Sequence, residues 1–234
     1  MTALKALHVI VPAAGIGRRM GPGKPKQYLP LAGQTLLECT LARLREALPG
    51  VLFHVPLQPG DPWWSSTVCA ADPLIRRLEG GQERADSVRL GLAQLSAGER
   101  DWVLVHDVAR PCVTTGDIHR LLDAVMDHDC GGLLGVPVAD TLKQVGSSQQ
   151  VTATVDRSGL WRALTPQVFR YGPLCRALDQ ASARGLSITD EASAMEFSGA
   201  TPLMVPGRGD NLKVTLPEDL ALAGWLLRQQ GSTE

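Results

Sequence analysis

Residues 8–20 constrain this chain more than any other stretch, because a buried strand runs there into a series of very small residues. Residues 7–11 are apolar and rich in β-branched side chains, which predicts a strand. Pro12 cannot donate to a strand ladder and marks the strand's end. A ligand can lie against the backbone N–H groups of the residues that follow, which have little or no side chain: Ala13, Ala14, Gly15 and Gly17.

Four cationic side chains come soon after this loop: Arg18, Arg19, Lys24 and Lys26. Backbone donors beside long cationic side chains are what a triphosphate requires. Neither common phosphate loop explains the pattern. Pro25 stands where a Walker loop needs Ser or Thr, and Met20 stands where the dinucleotide fingerprint needs its third glycine. An ordinary strand-to-helix turn with solvated arginines is the alternative.

Composition excludes several classes of protein. A formal net charge of −1 argues against a nucleic-acid-binding protein, and 4% aromatic residues are too few for a stacking platform along single strands. Five cysteines without C-x-x-C spacing argue against a disulfide framework or a zinc site and favour a reducing compartment. No apolar run reaches membrane-spanning length. We therefore expect a soluble, cytoplasmic protein.

Strand-like and helix-like segments alternate along residues 1–234, which predicts one α/β domain with a mostly parallel sheet and helices on both faces. A strand at 102–106 ends at Asp107 and Arg110, where open α/β sheets gather their ligands. His106 and Asp107 are not expected to form a catalytic dyad, because neighbouring strand residues point to opposite faces.

Four further segments carry predictions about local structure. Residues 35–48 have helical spacing and predict a helix that Thr35 caps, with Glu38 at the reciprocal position of a capping box. Residues 63–71 predict a short helix, and residues 165–167 predict a turn. A helix is predicted to begin within residues 189–193, where capping and the helix dipole are sufficient to explain Asp190 and Glu191.

Residues 140–157 break the pattern of alternating strands and helices. Polar and apolar residues alternate on either side of Gly146-Ser-Ser148, which predicts a two-stranded hairpin. Since an isolated hairpin is marginally stable in water, this one needs a surface to lie against.

The chain resembles the sugar-phosphate nucleotidyltransferases, and among them the 2-C-methyl-D-erythritol 4-phosphate cytidylyltransferases. The residues that carry the resemblance are Pro12-Ala-Ala-Gly-Ile-Gly-Arg-Arg-Met20 with Pro25-Lys-Gln-Tyr-Leu29, and it extends over about residues 9–222. It implies a Rossmann-like fold with a protruding β-hairpin arm. It also implies transfer of CMP from CTP to methylerythritol phosphate, with release of pyrophosphate, in non-mevalonate isoprenoid biosynthesis.

The resemblance assigns roles to particular residues of this chain. Arg19 and Lys26 are implied to be the catalytic residues. The residues implied at CTP are Ala13, Ala14, Gly15, Gly17, Arg18, Gly80, Gly81, Gln82 and Ser87. The residues implied at the acceptor substrate are Asp107, Arg110, Thr141, Arg157, Thr189, Asp210 and Lys213. Gln82 and Val108 depart from the residues common in the family at those positions.

Magnesium is the implied cofactor, with Asp107 as the protein carboxylate best placed to approach it, although the triphosphate oxygens themselves are an alternative holder. Residues 139–157 are implied to be a β-arm that embraces a second subunit of a homodimer. Thr141 and Arg157 would then reach the partner's substrate phosphate.

Two other functions stay open at this point: a ribitol 5-phosphate cytidylyltransferase, and a non-catalytic nucleotide-binding protein of the same fold. The second is expected to have lost Arg19 or Lys26, and both are present. A dinucleotide-dependent dehydrogenase is disfavoured by Met20.

Overall fold

A computed structural model of the chain describes residues 7–15, 17 and 23–231. The strands are β1 (Leu7–Ile10), β2 (Pro30–Leu31), β3 (Gln34–Thr35), β4 (Phe53–Leu57), β5 (Ile75–Glu79), β6 (Trp102–Val105), β7 (Gly131–Pro137), β8 (Leu142–Val145), β9 (Val151–Val155), β10 (Trp161–Arg170) and β11 (Leu203–Pro206). The α-helices are α1 (Leu36–Ala47), α2 (Arg84–Ala93), α3 (Thr115–Met126), α4 (Tyr171–Ala183), α5 (Glu191–Phe197) and α6 (Pro217–Gly231).

Seven strands form the central sheet in the order β11-β7-β10-β6-β1-β4-β5. All neighbours are parallel except at β10, which runs antiparallel to both β6 and β7. The predicted mostly parallel α/β sheet is confirmed. Because the carboxyl ends of β1, β4, β5 and β6 share one edge, the loops that follow these strands meet there.

The core lies on both faces of this sheet, because nearly every residue of the central strands β1, β4 and β6 is buried. Val9 of β1 packs in one core with α1 and α3, whereas the adjacent Ile10 packs in the other with α2, α4 and α5. This division follows from the two-residue period of a strand.

Helix α1 begins where the sequence places its start. The side chain of Thr35 accepts from the Glu38 N–H at 3.2 Å, and the Glu38 carboxylate accepts from the Thr35 N–H at 2.8 Å. This reciprocal pair satisfies two backbone donors that would otherwise lack partners.

The predicted turn at residues 165–167 is wrong. These residues lie inside β10, where the register against β7 shifts between Ala163 and Gln167. Pro166 has no N–H for a ladder, and an irregularity of this kind is where a strand tolerates proline. The bulge therefore lets a sequence typical of a turn continue as a strand.

Residues 63–71 form two short helices where the sequence predicts one. Two short 3-10 helices, Trp64–Ser66 and Val68–Ala71, replace it, because Thr67 between them has extended backbone dihedrals. Asp61 fixes the first one by accepting from the N–H groups of Trp63 and Trp64.

Strands β8 and β9 pair only with each other among the described strands and form a separate antiparallel hairpin. Every residue of β9 is exposed. Apolar side chains pair across the hairpin, with Leu142 opposite Val155 and Val145 opposite Val151. Whether a second subunit covers this surface stays a prediction.

Within the described residues, no helix has both the length and the apolar character that crossing a bilayer requires.

Candidate active site

A cavity of about 250 Å³ lies beyond the carboxyl ends of β1 and β6. The small-residue loop forms one wall, and charged side chains form another. Its lining residues are Pro12, Ala13, Ala14, Gly15, Gly17, Lys26, Gln27, Arg84, Ser87, Asp107, Val108, Ala109 and Lys213. The structure therefore brings the predicted loop, Lys26 and the acceptor-side residues Asp107 and Lys213 to one place.

Hydrogen bonds fix the course of the small-residue loop. The buried side chain of Gln27 donates through Nε2 to the Ala13 carbonyl at 2.7 Å, and Gln58 donates in the same way to Ala14 at 2.7 Å. The Ala13 N–H in turn donates to Pro56 O at 2.9 Å. Since two of the loop's carbonyls are held by amide side chains, the loop is a preformed surface for a ligand.

Gly17 and Lys26 approach each other closely across this loop. Gly17 has a φ of +65°, and a Cβ built there would lie 2.6 Å from Cβ of Lys26. Lys26 opens the 3-10 helix Lys26–Tyr28, and its Nζ donates to the Val214 carbonyl at 2.8 Å. Because Gly17 has no side chain, Lys26, the catalytic candidate, can lie directly against the loop.

Gly17→Ala is expected to lower activity by more than tenfold, because it combines a left-handed backbone with a clash against Lys26. The backbone conformation alone costs an L-residue about 1–2 kcal/mol. Gly60→Ala is the matched control, since Gly60 has a φ of +70° with open space around it. Turnover and unfolding free energy should be measured for both. Equal losses of turnover in the two variants would contradict a role for the Gly17–Lys26 contact.

A second cavity of about 220 Å³ adjoins the first and shares Arg84, Asp107 and Lys213 with it. Its other lining residues are Arg110, Ala163, Leu164, Thr165, Gln167, Thr189 and Asp190. Its charged lining residues are three cations, Arg84, Arg110 and Lys213, and two carboxylates, Asp107 and Asp190, and this excess of positive charge suits an anionic ligand. Two adjoining cavities with shared walls can hold two reactants next to each other.

Asp107 stands in the wall between the two cavities and is almost completely buried. Its Oδ1 accepts from Nε of Arg84 at 2.5 Å, and its Oδ2 lies 2.7 Å from Nζ of Lys213. Burial by itself would raise the pKa of this carboxyl, but the Arg84 and Lys213 charges outweigh it and hold the pKa well below its usual range. Asp107 is therefore ionised at neutral pH.

Arg84 and Glu191 were not identified from the sequence as site residues. Nη1 and Nη2 of Arg84 donate to the two carboxylate oxygens of Glu191 at 2.7 and 3.0 Å. Burial opposes the charge on Arg84, but Glu191 and Asp107 raise its pKa overall. One feature of the sequence points to Arg84. It comes shortly after a glycine pair and begins α2, and a cation is unfavourable at a helix N-terminus unless carboxylates compensate its charge.

Arg110 is buried beside Asp107, as the strand-end position predicts. Its Nη1 donates to the Asn211 carbonyl at 2.7 Å, and its Nε lies 4.0 Å from Asp107 Oδ2. Burial lowers the pKa of Arg110, with Asp107 opposing that change.

His106 is a buried structural residue and supports the loop that carries Asp107. The Asp107 N–H donates to Thr165 Oγ1 at 3.0 Å, so the Thr165 hydroxyl proton is available to His106 Nδ1 at 3.2 Å. His106 Nε2 then donates to the Arg110 carbonyl at 3.0 Å. Burial lowers the pKa of His106 to about 4, which keeps the ring neutral in this role.

Unfolding free energy is expected to fall as the pH drops from 6.5 towards 4. Burial lowers the pKa values of His54 and His106 to about 4, whereas an unfolded histidine titrates near 6.5. Below pH 6.5 the unfolded chain therefore binds protons that the folded chain does not, and stability is lost until the folded pKa is reached. Denaturant titrations at pH 7.5 and 5 test this, and equal free energies at the two values would contradict it.

The remaining residues implied at CTP lie close to the first cavity, with different environments. Ser87 lines the cavity, but its hydroxyl accepts from the Gly81 N–H at 3.1 Å and donates to the Glu83 carbonyl at 2.9 Å. Gly80 packs so tightly that an added Cβ would lie 2.7 Å from Ala14 Cβ. Gln82 is exposed. These contacts indicate that Ser87 shapes the glycine turn.

The acceptor-side candidates divide into two groups. Thr189 lines the second cavity. Thr141, Arg157 and Asp210 line neither cavity, and the Arg157 guanidinium donates to the Ala139 carbonyl at the base of the hairpin. Asp210 pairs with Arg208 at 2.6 Å. The roles proposed for Arg18 and Arg19 fall outside the described residues.

The described residues contain no group of three or more His, Cys, Asp or Glu side chains suited to holding a metal ion. Both oxygens of Asp107 are engaged by cations. The described residues therefore offer no cluster of protein ligands that would hold a metal by itself, and the metal role predicted for Asp107 beside a triphosphate stays a prediction.

The comparison with protein-family models decides the family. The model of IspD, 2-C-methyl-D-erythritol 4-phosphate cytidylyltransferase, matches residues 7–229. The chain belongs to this family.

Relatives of known name agree with the IspD assignment. A 2-C-methyl-D-erythritol 4-phosphate cytidylyltransferase of Aeromonas hydrophila is 54% identical over 100% of this chain and 95% of its own length. The enzyme of that name from Hahella chejuensis is 50% identical, with 95% and 93% covered. The solved structure of the Francisella tularensis enzyme is 35% identical with a TM-score of 0.82, covering 94% of this chain and 99% of its own.

Proposed function

We propose that this chain transfers CMP from CTP to 2-C-methyl-D-erythritol 4-phosphate, giving 4-diphosphocytidyl-2-C-methyl-D-erythritol and pyrophosphate. Membership of the IspD family supports the reaction. The structural observation that carries the proposal is the pair of adjoining cavities with shared walls, one against the small-residue loop and the other lined by three cations and two carboxylates. Such a pair suits a nucleotide donor beside a phosphorylated acceptor.

The reaction requires the protein to position the two substrates and to stabilise the charge that develops at the α-phosphorus. An oxygen of the acceptor phosphate forms a bond to the α-phosphorus of CTP while the bond to the pyrophosphate oxygen breaks. That acceptor oxygen is already ionised near neutral pH, so no general base is needed. Lys26, with Arg19, would stabilise the charge that develops at the five-coordinate phosphorus.

The two substrates divide the site between them in this proposal. The small-residue loop with Arg18, the glycine turn and Ser87 holds CTP. The acceptor phosphate is held by Lys213 and by Arg157 of a second subunit, with the other acceptor-side residues placing the polyol: Asp107, Arg110, Thr141, Thr189 and Asp210. Mg²⁺ would be held mainly by the triphosphate, with Asp107 as the nearest protein carboxylate, and would neutralise part of the triphosphate charge.

A homodimer is the proposed assembly, with the hairpin of β8 and β9 (residues 139–157 including its flanks) as the arm. Exposed apolar side chains along and just beyond the arm support it: Val145, Val151, Val155, Leu160 and Trp161. A two-fold dimer would bury both arms with one kind of contact. A reducing, cytoplasmic location suits the five unpaired cysteines.

Pyrophosphate release tests the proposed reaction. The protein should be incubated with CTP and Mg²⁺, and methylerythritol phosphate and ribitol 5-phosphate should be offered separately. We expect pyrophosphate with the first acceptor and at least tenfold less with the second. Preference for ribitol phosphate would change the acceptor assignment. Release with neither acceptor would favour a non-catalytic nucleotide-binding protein.

Base preference is a separate expectation. CTP should bind more tightly than ATP or GTP, because close approach of a base to the backbone of Ala13, Ala14 and Gly81 would suit a pyrimidine better than the larger purine. Competition binding against a labelled CTP analogue measures this. Equal affinities would contradict the cytidylyl assignment while leaving nucleotidyl transfer possible.

A further inference from the structure

Arg84 links two of the acidic side chains beside the wall between the two cavities, Asp107 and Glu191. Its Nε donates to Oδ1 of Asp107 at 2.5 Å, and its Nη1 and Nη2 donate to the two carboxylate oxygens of Glu191 at 2.7 and 3.0 Å. One guanidinium therefore bridges two carboxylates on different elements. Because the fork geometry is fixed, movement of Glu191 would move the group that meets Asp107.

Glu191 is itself a firmly placed anchor. It is completely buried at the first position of α5. Gln167 ties this helix start to β10, since its Nε2 donates to Asp190 at 2.8 Å and its Oε1 accepts from the Ala192 N–H at 2.8 Å. The central sheet thus fixes Glu191, and Glu191 fixes Arg84.

Asp107 has a second cationic partner of different character. Lys213 lies 2.7 Å from Oδ2, and its side chain is 42% exposed, against 24% for Arg84. An ammonium on a flexible stem can be shared with an arriving phosphate more easily than a guanidinium that is already bound to two carboxylates. With Arg84 neutralising Asp107 from behind, Lys213 can turn to the acceptor without leaving a buried carboxylate unpaired.

We propose that Arg84, anchored by Glu191, is a positioning residue that fixes Asp107 and so shapes the acceptor half of the site. This inference rests on the proposed function. In this role Arg84 acts through Asp107.

Two conservative variants test this role. Glu191→Gln keeps the shape of the anchor but removes its charge, and Arg84→Lys keeps a charge near Asp107 but loses the fork. In each, KM for the acceptor should rise about tenfold, the size expected for loss of one charge-assisted hydrogen bond, while KM for CTP stays within about twofold. The double variant Arg84→Gln/Glu191→Gln should raise the acceptor KM by less than the product of the increases measured for Arg84→Gln and Glu191→Gln separately, because the two residues act as one unit.

A merely structural role predicts a different outcome. Lower stability reduces the fraction of active enzyme and therefore the maximal rate, while both KM values stay unchanged. Glu99→Gln is the matched control, because Glu99 forms an exposed pair with Arg176 at 2.7 Å, away from both cavities. It should leave both KM values unchanged. If Glu191→Gln fails to fold, the double variant supplies the test, because it buries no unpaired charge of this pair.

Wild-type turnover should be measured first, because it distinguishes failure of the proposed function from failure of the role proposed for Arg84. Absence of CMP transfer by the wild type would overturn the proposed function and this inference together. Normal wild-type transfer with an unchanged acceptor KM in the variants would overturn the role of Arg84 alone, as would equal rises in both KM values.

Discussion

Lys26→Ala should reduce kcat by about 10²–10³-fold, with a much smaller change in CTP affinity. Removal of a single group that stabilises transition-state charge has effects of this size. Lys26 lines the first cavity and is held against Gly17 and the Val214 carbonyl, so its charge is fixed before the reaction begins. Steady-state kinetics together with direct CTP binding measure the two effects separately.

Lys24→Ala is the matched comparison for Lys26. Lys24 lies two residues away, is exposed, and has its Nζ 4.8 Å from the centre of the Trp63 ring. Its removal should lower kcat by less than tenfold. A loss at Lys26→Ala that appears only in KM, or similar losses of kcat in both variants, would remove Lys26 from the catalytic role.

Mixing Arg157→Ala with Lys26→Ala should restore activity that neither variant has alone. If Arg157 reaches the site of the other subunit, a mixed dimer has one site with both lesions and one site with neither. Random exchange makes about half of the dimers mixed, so activity should approach roughly a quarter of the wild-type value per site. The position of Arg157 fits this account, since it is exposed at the hairpin base and lines neither cavity of its own subunit.

Native mass spectrometry provides the control for the mixing experiment, because it reports whether mixed dimers have formed. Mixed dimers without recovered activity would place Arg157 in its own subunit's site or outside the site altogether. A monomeric wild type would contradict the arm as a dimerisation element.

Local sequence patterns predicted much of this fold for identifiable physical reasons. Alternating apolar segments gave the parallel sheet, because its strands are buried on both faces. The capping box at Thr35 marked the start of α1. The strand end at Asp107 marked the site, since loops at the carboxyl edge of such a sheet converge.

Local sequence patterns do not predict contacts between residues that are far apart in the chain. Arg84 and Glu191 are separated by 107 residues and meet only because α2 and α5 pack on the same face of the sheet. Capping and the helix dipole explain an acidic residue at position 191 from the sequence alone, yet the buried Glu191 carboxylate also binds Arg84. Likewise, the proline within residues 165–167 suggested a turn, and only the pairing of β10 with its neighbours makes it a strand.

Isotope tracing tests the central claim most directly: the acceptor's own phosphate oxygen attacks the α-phosphorus of CTP. Methylerythritol phosphate labelled with ¹⁸O in its phosphate should be converted with unlabelled CTP, and the product examined by ³¹P NMR. We predict that the bridging oxygen of the new diphosphate carries the ¹⁸O label and that the released pyrophosphate carries none. An unlabelled bridge, or label in the pyrophosphate, would contradict this account.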